Sequence, residues 1–311
     1  MKQTMTLSLI AAILFVAAPV GSSHPASECY PSSHPGEEET ITCISDSAVM
    51  PETPVAPEQT VPGGNSDWMD RTFVHHSLGM RFTATWCGWC PYMNESFVKA
   101  KRKLGNRMEY VNLHAASSDL AFDGTAILAS QFQITGYPTG IVDGKTKISN
   151  TTDTDYTGDR IVAAVSETET NYPPMTAIAM ESSLSGRTVT VKVDVYLKQS
   201  EDYKVSGLLL EDGIVARQNG GSNDYVHDRV ARIALTPITG SAFTAIAGDV
   251  KHFTWTVTVP DGCDTDNLSV LVWIQRKFGN QPVLQSEDYG DYYIDNCRQA
   301  PVGTIALLET Q

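Results

Sequence analysis

The chain has 311 residues, 41% of them hydrophobic, enough to furnish two domains with cores of their own. A net charge of −14 excludes the cationic surface that a nucleic-acid binder needs to neutralise phosphates, and equally a polybasic contact with a membrane surface.

Residues 1–23 read as a secretory signal peptide. Lys2 supplies the positive end, the stretch 7–20 is apolar but short for a bilayer span, and small residues follow at Ala17, Ala18 and Gly21. Cleavage is expected between about Ala18 and Ala26. Cys29 follows Glu28 rather than a run of small residues, which argues against lipidation there. No other segment has the length of a membrane-spanning helix, so the expectation is an exported mature chain without a span, in a compartment that permits disulfides. Residues 24–66 form a spacer rich in Pro, Ser, Glu and Thr, kept extended by Pro51, Pro54, Pro57 and Pro62. Cys29 and Cys43 are expected to form a local structural disulfide, worth about 3 kcal/mol by loop closure. An intermolecular bond, or exchange with Cys87, is the alternative.

A first domain is expected over residues 67–172. A strand over 80–85 delivers Trp86-Cys87-Gly88-Trp89-Cys90-Pro91, and a helix follows. Met93, Phe97, Ala100 and Leu104 fall on one helical face, while Lys99, Lys101, Arg102 and Lys103 read as a solvated face. A strand over 109–113 and a short helix over 124–132 come next. The closing helix is predicted over 156–170, capped by Thr157, with Ile161, Ala164, Val165 and Thr168 turned inward. Asn171-Tyr172-Pro173-Pro174 ends it.

Residues 173–300 change to a period of two. Val189, Val191, Val193, Val195 and Leu197 alternate with polar residues, as do Phe253, Trp255, Val257 and Val259. Further strands are expected over 176–182, 205–210 and 268–274, so this part reads as a β-sandwich. The spacing of Val226, Val230, Ile233 and Ala234 suggests a helical or irregular crossing segment. Cys263 and Cys297 each follow a predicted strand, and a structural disulfide between them is the simplest reading. Residues 301–311 are left as a tail. Asp261, Asp264, Asp266 and Asn267 lack the spacing of a calcium loop and read as a polar turn. Trp255 and Trp273 read as core residues.

The chemistry concentrates at Cys87 and Cys90. A thiol attacks a disulfide as the thiolate, and unpaired N–H groups at a helix N-terminus stabilise that anion. Cys87, at the junction of strand and helix, is the expected exposed nucleophile, and Cys90, a turn later, the resolving thiol. A zinc site would need two further ligands at ligand spacing; His75, His76 and His114 read as surface residues, so no metal is assigned. No Ser-His-Asp order, carboxylate pair or phosphate loop is visible, and no cofactor is assigned.

The hexapeptide 86–91 resembles the active site of the thioredoxin superfamily. Ile134-Thr135-Gly136-Tyr137-Pro138-Thr139 resembles the segment that carries its cis-proline, with a closing hairpin over 140–148 turning at Asp143-Gly144. The longer phrases over 82–91 and 137–142 are similar to a bacterial outer-membrane-protein family that joins a thioredoxin-like domain to a C-terminal β-domain. The resemblance implies an α/β thioredoxin-like domain followed by an all-β, sandwich-like one. It also implies catalytic Cys87 and Cys90, with Trp86, Gly88, Trp89, Tyr137 and Pro138 contacting the substrate. Where thioredoxins hold a buried acid, six positions before the first cysteine, this chain has Arg81, which turned inward would tune the thiol pKa downward and make the pair more oxidising. The implied function is an exported thiol–disulfide oxidoreductase acting on a protein substrate or redox partner in the periplasm or at the outer membrane. The alternative is an envelope binding or assembly protein that uses the scaffold without redox turnover. No oligomeric state is assigned.

Overall fold

The computed structural model describes residues 67–149, 156–277 and 292–311. The predicted signal peptide, the spacer, Cys29 and Cys43 lie outside these residues.

The chain first builds an α/β unit: β1 (Ser77–Thr83), α1 (Cys90–Leu104), β2 (Met108–His114), α2 (Gly124–Gln131), β3 (Thr139–Val142), β4 (Thr146–Ser149) and α3 (Asp159–Asn171). β1 runs parallel to β2 and antiparallel to β3, and β4 closes the edge through the turn at Asp143 and Gly144, both at positive φ. Alternation along β1 sends Leu78, Met80 and Phe82 into a core beneath α2. The intervening Gly79 faces Phe97 of α1, and the ring of Phe97 lies across two glycines. A Cβ at either Gly79 or Gly140 would come within 2.7 Å of it. The helix faces are the predicted ones: Met93, Phe97, Ala100 and Leu104 of α1 pack against Ile161, Ala164 and Val165 of α3. α3 starts at Asp159, later than expected, because Gly158 at φ 77° turns the chain first. Thr157 Oγ1 still accepts from Asp159 N at 3.3 Å.

A β-rich region follows: β5 (Thr176–Ser185), β6 (Thr188–Leu197), β7 (Glu201–Glu211), β8 (Ile214–Ala216), β9 (Tyr225–His227), β10 (Val230–Ala234), β11 (Ser241–Ala245), β12 (Val250–Thr258), β13 (Leu268–Lys277), β14 (Tyr292–Pro301) and β15 (Ile305–Ala306). One sheet runs β14-β13-β7-β10-β2-β1-β3-β4, so strands of the α/β unit and of the β-rich region are continuous. The joint is β10, parallel to β2 at Val230↔Asn112 and antiparallel to β7 on its other edge. β7 is long enough to share one edge, pairing β10 with residues 208–211 and β11 with residues 201–205. A second sheet, β12-β6-β5-β15, packs over this end of the first sheet, and the inward valines of β6 meet Val270, Val272 and Ile274 of β13. Trp255 and Trp273 are buried, as expected.

Several expectations are corrected. Val226 and Val230 lie in strands rather than in a helical or irregular crossing segment. Val226 is exposed in the β8–β9 hairpin, while Val230 is buried where β10 bridges two strands, so their helix-like spacing reflects no common face. The C-terminal residues are tied down: β15 pairs with β5, Thr310 bridges to Phe73, and Glu309 contacts His76 and Arg298. Cys263 and Cys297 form no disulfide; both are free and buried. Cys263 belongs to the core between the two sheets, whereas Cys297, paired opposite Trp273, faces the core under α2 on the other side of the large sheet. Asp264 caps a short 3-10 turn, accepting from Asp266 N, as a polar turn should.

Candidate functional site

β1 ends at Thr83, a turn places Cys87 N on Ala84 O at 3.1 Å, and α1 begins at Cys90 with Pro91 in its first turn, where no N–H is needed. Cys87 and Cys90 are joined as a disulfide. Both sulfur-bearing residues pack with Ala84 and Ala115, and Tyr137 lies against that cluster. The Tyr137–Pro138 bond is cis. The structure therefore brings together Trp86, Cys87, Cys90 and Tyr137; the rings of Trp86 and Tyr137 meet edge to face at 5.8 Å. Trp86 and Trp89 are 48% and 59% exposed, large apolar groups left facing solvent beside the disulfide. Trp89, Tyr92 and Tyr156 continue as a row of tilted rings with centroids 5.5 and 5.2 Å apart.

Cys87 departs from expectation, since only 5% of its surface is exposed. A loop between β8 and β9, invisible to motif reasoning because it arrives from more than a hundred residues away, sits on the motif's backbone. Gln218 Nε2 donates to Ala84 O at 3.2 Å and Cys87 O at 2.9 Å. Asn219 N donates to Thr85 O at 2.7 Å, and Asn219 Nδ2 to Trp86 O at 2.9 Å. Gly220, at φ 74°, lies so close that an added Cβ would overlap Gly88 O. Tyr225 on the same hairpin accepts from Asn94 Nδ2 of α1 at 2.9 Å.

Below the motif, Arg81 points inward and is 3% exposed. It donates from Nε to Asn112 Oδ1 at 2.6 Å, and from a terminal nitrogen to Cys90 O at 3.1 Å and Thr83 Oγ1 at 3.3 Å. Burial pushes its guanidinium down to about 10. Asn112 joins this arginine to the hairpin base, donating from Nδ2 to Asp228 O at 2.6 Å and from its backbone N to Arg229 O at 2.8 Å.

His114, His75 and His76, read from sequence as surface residues, are buried. His114 stands at the end of β2, its ring 5.4 Å from that of His227 and its Nδ1 3.1 Å from Ser118 Oγ. Burial, reinforced by the Arg81 cation, pushes His114 down to about 2 and His227 down to about 4. The unfolded chain binds protons at these rings below about pH 6.5, whereas the folded chain resists. Stability contributed by the neutral rings is therefore present above about pH 6.5 and lost as pH falls. For His114 the loss is about 1.4 kcal/mol per pH unit. His114→Asn should flatten the fall in urea-unfolding free energy between pH 7 and pH 5 relative to the wild type. An unchanged slope would show that His114 titrates normally.

Among the described residues no cluster of His, Cys, Asp or Glu is arranged to hold a metal ion, and no helix is long and apolar enough to cross a membrane.

A thioredoxin family model matches residues 72–167, and a model described as outer membrane protein Omp28 matches residues 125–287, more than half of the chain. Among solved structures, HBP35 of Porphyromonas gingivalis superimposes with a TM-score of 0.62 at 17% identity, over 75% of this chain and 77% of that one, a likeness of fold. A protein from Agrobacterium tumefaciens matches at 14% identity with a TM-score of 0.46, over 75% of this chain and 96% of that one. A domain of the outer membrane lipoprotein Omp28 from Porphyromonas gingivalis matches at 16% identity with a TM-score of 0.28, over 42% of this chain and 89% of that one. These last two scores carry no argument. No curated protein matches the chain. The chain belongs to the Omp28 outer-membrane-protein family, and is an exported, outer-membrane-associated protein with a thioredoxin-like domain joined to a β-rich region.

Proposed function

We propose that this protein is a cell-envelope binding or assembly protein that uses its thioredoxin scaffold to present a surface, with Cys87–Cys90 held as a capped disulfide rather than a freely cycling one. The observation that carries this reading is the loop of residues 218–220, whose hydrogen bonds occupy the motif's backbone carbonyls from Ala84 to Cys87. Four bonds from one loop hold it against the turn that carries the cysteines, and Cys87 beneath it is only 5% exposed. The exposed rings of Trp86, Trp89 and Tyr92 are the matching binding surface, since large aromatic groups gain most from contact with a partner.

A second reading, an exported thiol–disulfide oxidoreductase, draws support from the packing of Tyr137 against the cysteines and from the inward Arg81. In that reading Cys87 forms the mixed disulfide, Cys90 releases it, and Trp86, Gly88, Trp89, Tyr137 and Pro138 contact the substrate protein. Insulin-reduction and scrambled-ribonuclease assays separate the two. Under the binding reading the wild type turns over no faster than a Cys87→Ser/Cys90→Ser protein. A rate at least tenfold above that double variant would establish the oxidoreductase instead.

A further inference from the structure

Arg81 is a buried cation with no anion beside it among the described residues. Its hydrogen-bond partners are the amide oxygen of Asn112, the hydroxyl of Thr83 and the carbonyl of Cys90, all neutral, and among the described residues no carboxylate lies within ion-pair distance of it. The carboxylates on β2 and flanking the hairpin are otherwise engaged: Glu109 pairs with Lys101 and Arg229, Asp212 accepts from Arg229 N, and Asp228 accepts from Gly213 N. The other titratable groups around this region are Tyr110 and His114 of β2, Tyr137 beside Pro138, and Tyr225, His227 and Asp228 at the hairpin. Burial pushes the Tyr110 hydroxyl up, so it stays protonated, and the two imidazoles are kept neutral by burial and by Arg81 itself. A buried guanidinium left in this condition carries an uncompensated desolvation penalty.

We propose that Cys87–Cys90 is an electron-accepting disulfide whose reduction supplies the counter-ion Arg81 lacks. The donor class is a thiol. Two RSH groups deliver two electrons in sequence through a mixed disulfide. The Cys87–Cys90 S–S bond breaks and one RS–SR bond forms. One cysteine ends as a thiol and the other as a thiolate in the field of Arg81, whose terminal nitrogen already reaches Cys90 O at 3.1 Å, and one proton leaves to solvent. The charge-separated reduced state is favoured because the cation is already buried and in place, so no further group has to be desolvated to meet the new anion. Arg81 acts here as a charge-compensating residue and touches no substrate. The inference rests on the cysteines being a reducible pair, but it concerns an equilibrium and not a turnover rate, so it holds with either proposed function.

The test is the redox equilibrium of the full chain in glutathione buffers, quenched with acid and read by mass, with thioredoxin measured alongside. The wild type is expected to be reduced at least tenfold more readily than thioredoxin, a difference of about 30 mV or more. Arg81→Met should lower the equilibrium constant for reduction at least tenfold, and Arg81→Lys, which keeps the charge, should stay within about threefold of the wild type. A wild-type pair no more readily reduced than thioredoxin overturns the inference, and so does a folded Arg81→Met protein with an unchanged equilibrium. Should Arg81→Met fail to fold, the comparison of wild type with thioredoxin decides alone. A disulfide that resists even excess dithiothreitol in the native protein overturns both the inference and the reading of the cysteines as a redox pair. Loss of the inference alone leaves a pair that reduces, but at an ordinary or more reducing potential.

Discussion

Gly220→Val is expected to open the cap over the disulfide and speed its reduction by dithiothreitol at least tenfold. Gly220 sits at φ 74°, a region that a β-branched residue enters only as an outlier. Its missing side chain is also what lets the loop lie against Gly88. Valine therefore meets a conformational penalty of about 1–2 kcal/mol and a steric one on top. Against this stand the hydrogen bonds from Gln218 and Asn219 to the motif, each contributing about 0.5–1.5 kcal/mol net. The two sides are close enough that the loop should detach locally while the sheets stay folded, because the buried strands of the large sheet do not depend on residues 218–221. The rate of loss of the Cys87–Cys90 bond under pseudo-first-order dithiothreitol, with Gly220→Ala as an intermediate case, measures this directly. Equal rates in wild type and Gly220→Val would show that the hairpin does not control access, and the capped-disulfide reading would lose its main support.

The largest stability effect is expected at Asp295, a wholly buried carboxylate on β14. It accepts from Thr176 N at 2.8 Å, Thr176 Oγ1 at 2.7 Å, Met175 N at 3.0 Å and Arg276 at 3.1 Å. It therefore fastens the start of β5, just beyond the Pro173-Pro174 break, to the far edge of the large sheet. Arg276 is itself buried. Burial alone would lower its pKa, but Glu201 and Asp295 hold it above the usual arginine range. Asp295→Ala removes half of that compensation and strands two backbone N–H groups, a loss of about 3–5 kcal/mol. Asp295→Asn keeps an acceptor but not the charge, and should cost roughly half as much. Urea unfolding at pH 7 gives both values. A change below about 1 kcal/mol for the alanine variant would mean that water or a shifted side chain takes over these bonds.

Local order was legible in the chain wherever a residue's role depended on its neighbours in sequence. The spacing of Met93, Phe97, Ala100 and Leu104 specified the buried face of α1, and the alternating valines of β6 specified which side of that strand meets the other sheet. The pattern at Trp86–Pro91 and Tyr137–Pro138 located the disulfide and its neighbouring loop, because a short strand-to-helix turn is encoded within a few residues. The extent of α3 was misjudged only at its start, where Gly158 rather than Thr157 ends the preceding turn.

Whatever depended on long-range pairing had to wait for the tertiary structure. Cys263 and Cys297 looked like partners because both follow strands, yet the large sheet separates them: a strand presents alternate residues to opposite cores, and position along the chain does not say which core receives a loop cysteine. The histidines carry no local sign of burial because what covers them is distant in sequence: the β8–β9 hairpin meets His114, while Asn296 of β14 and Glu309 near the C-terminus meet His76. The same hairpin covers Cys87. Residue order alone establishes the Cys-Gly-Trp-Cys turn and the arginine, Arg81, that stands before it. Folding alone encloses Arg81 with no anion beside it among the described residues and gives the motif's carbonyls to residues 218–220, since charge balance and hydrogen-bond supply are properties of a neighbourhood in space.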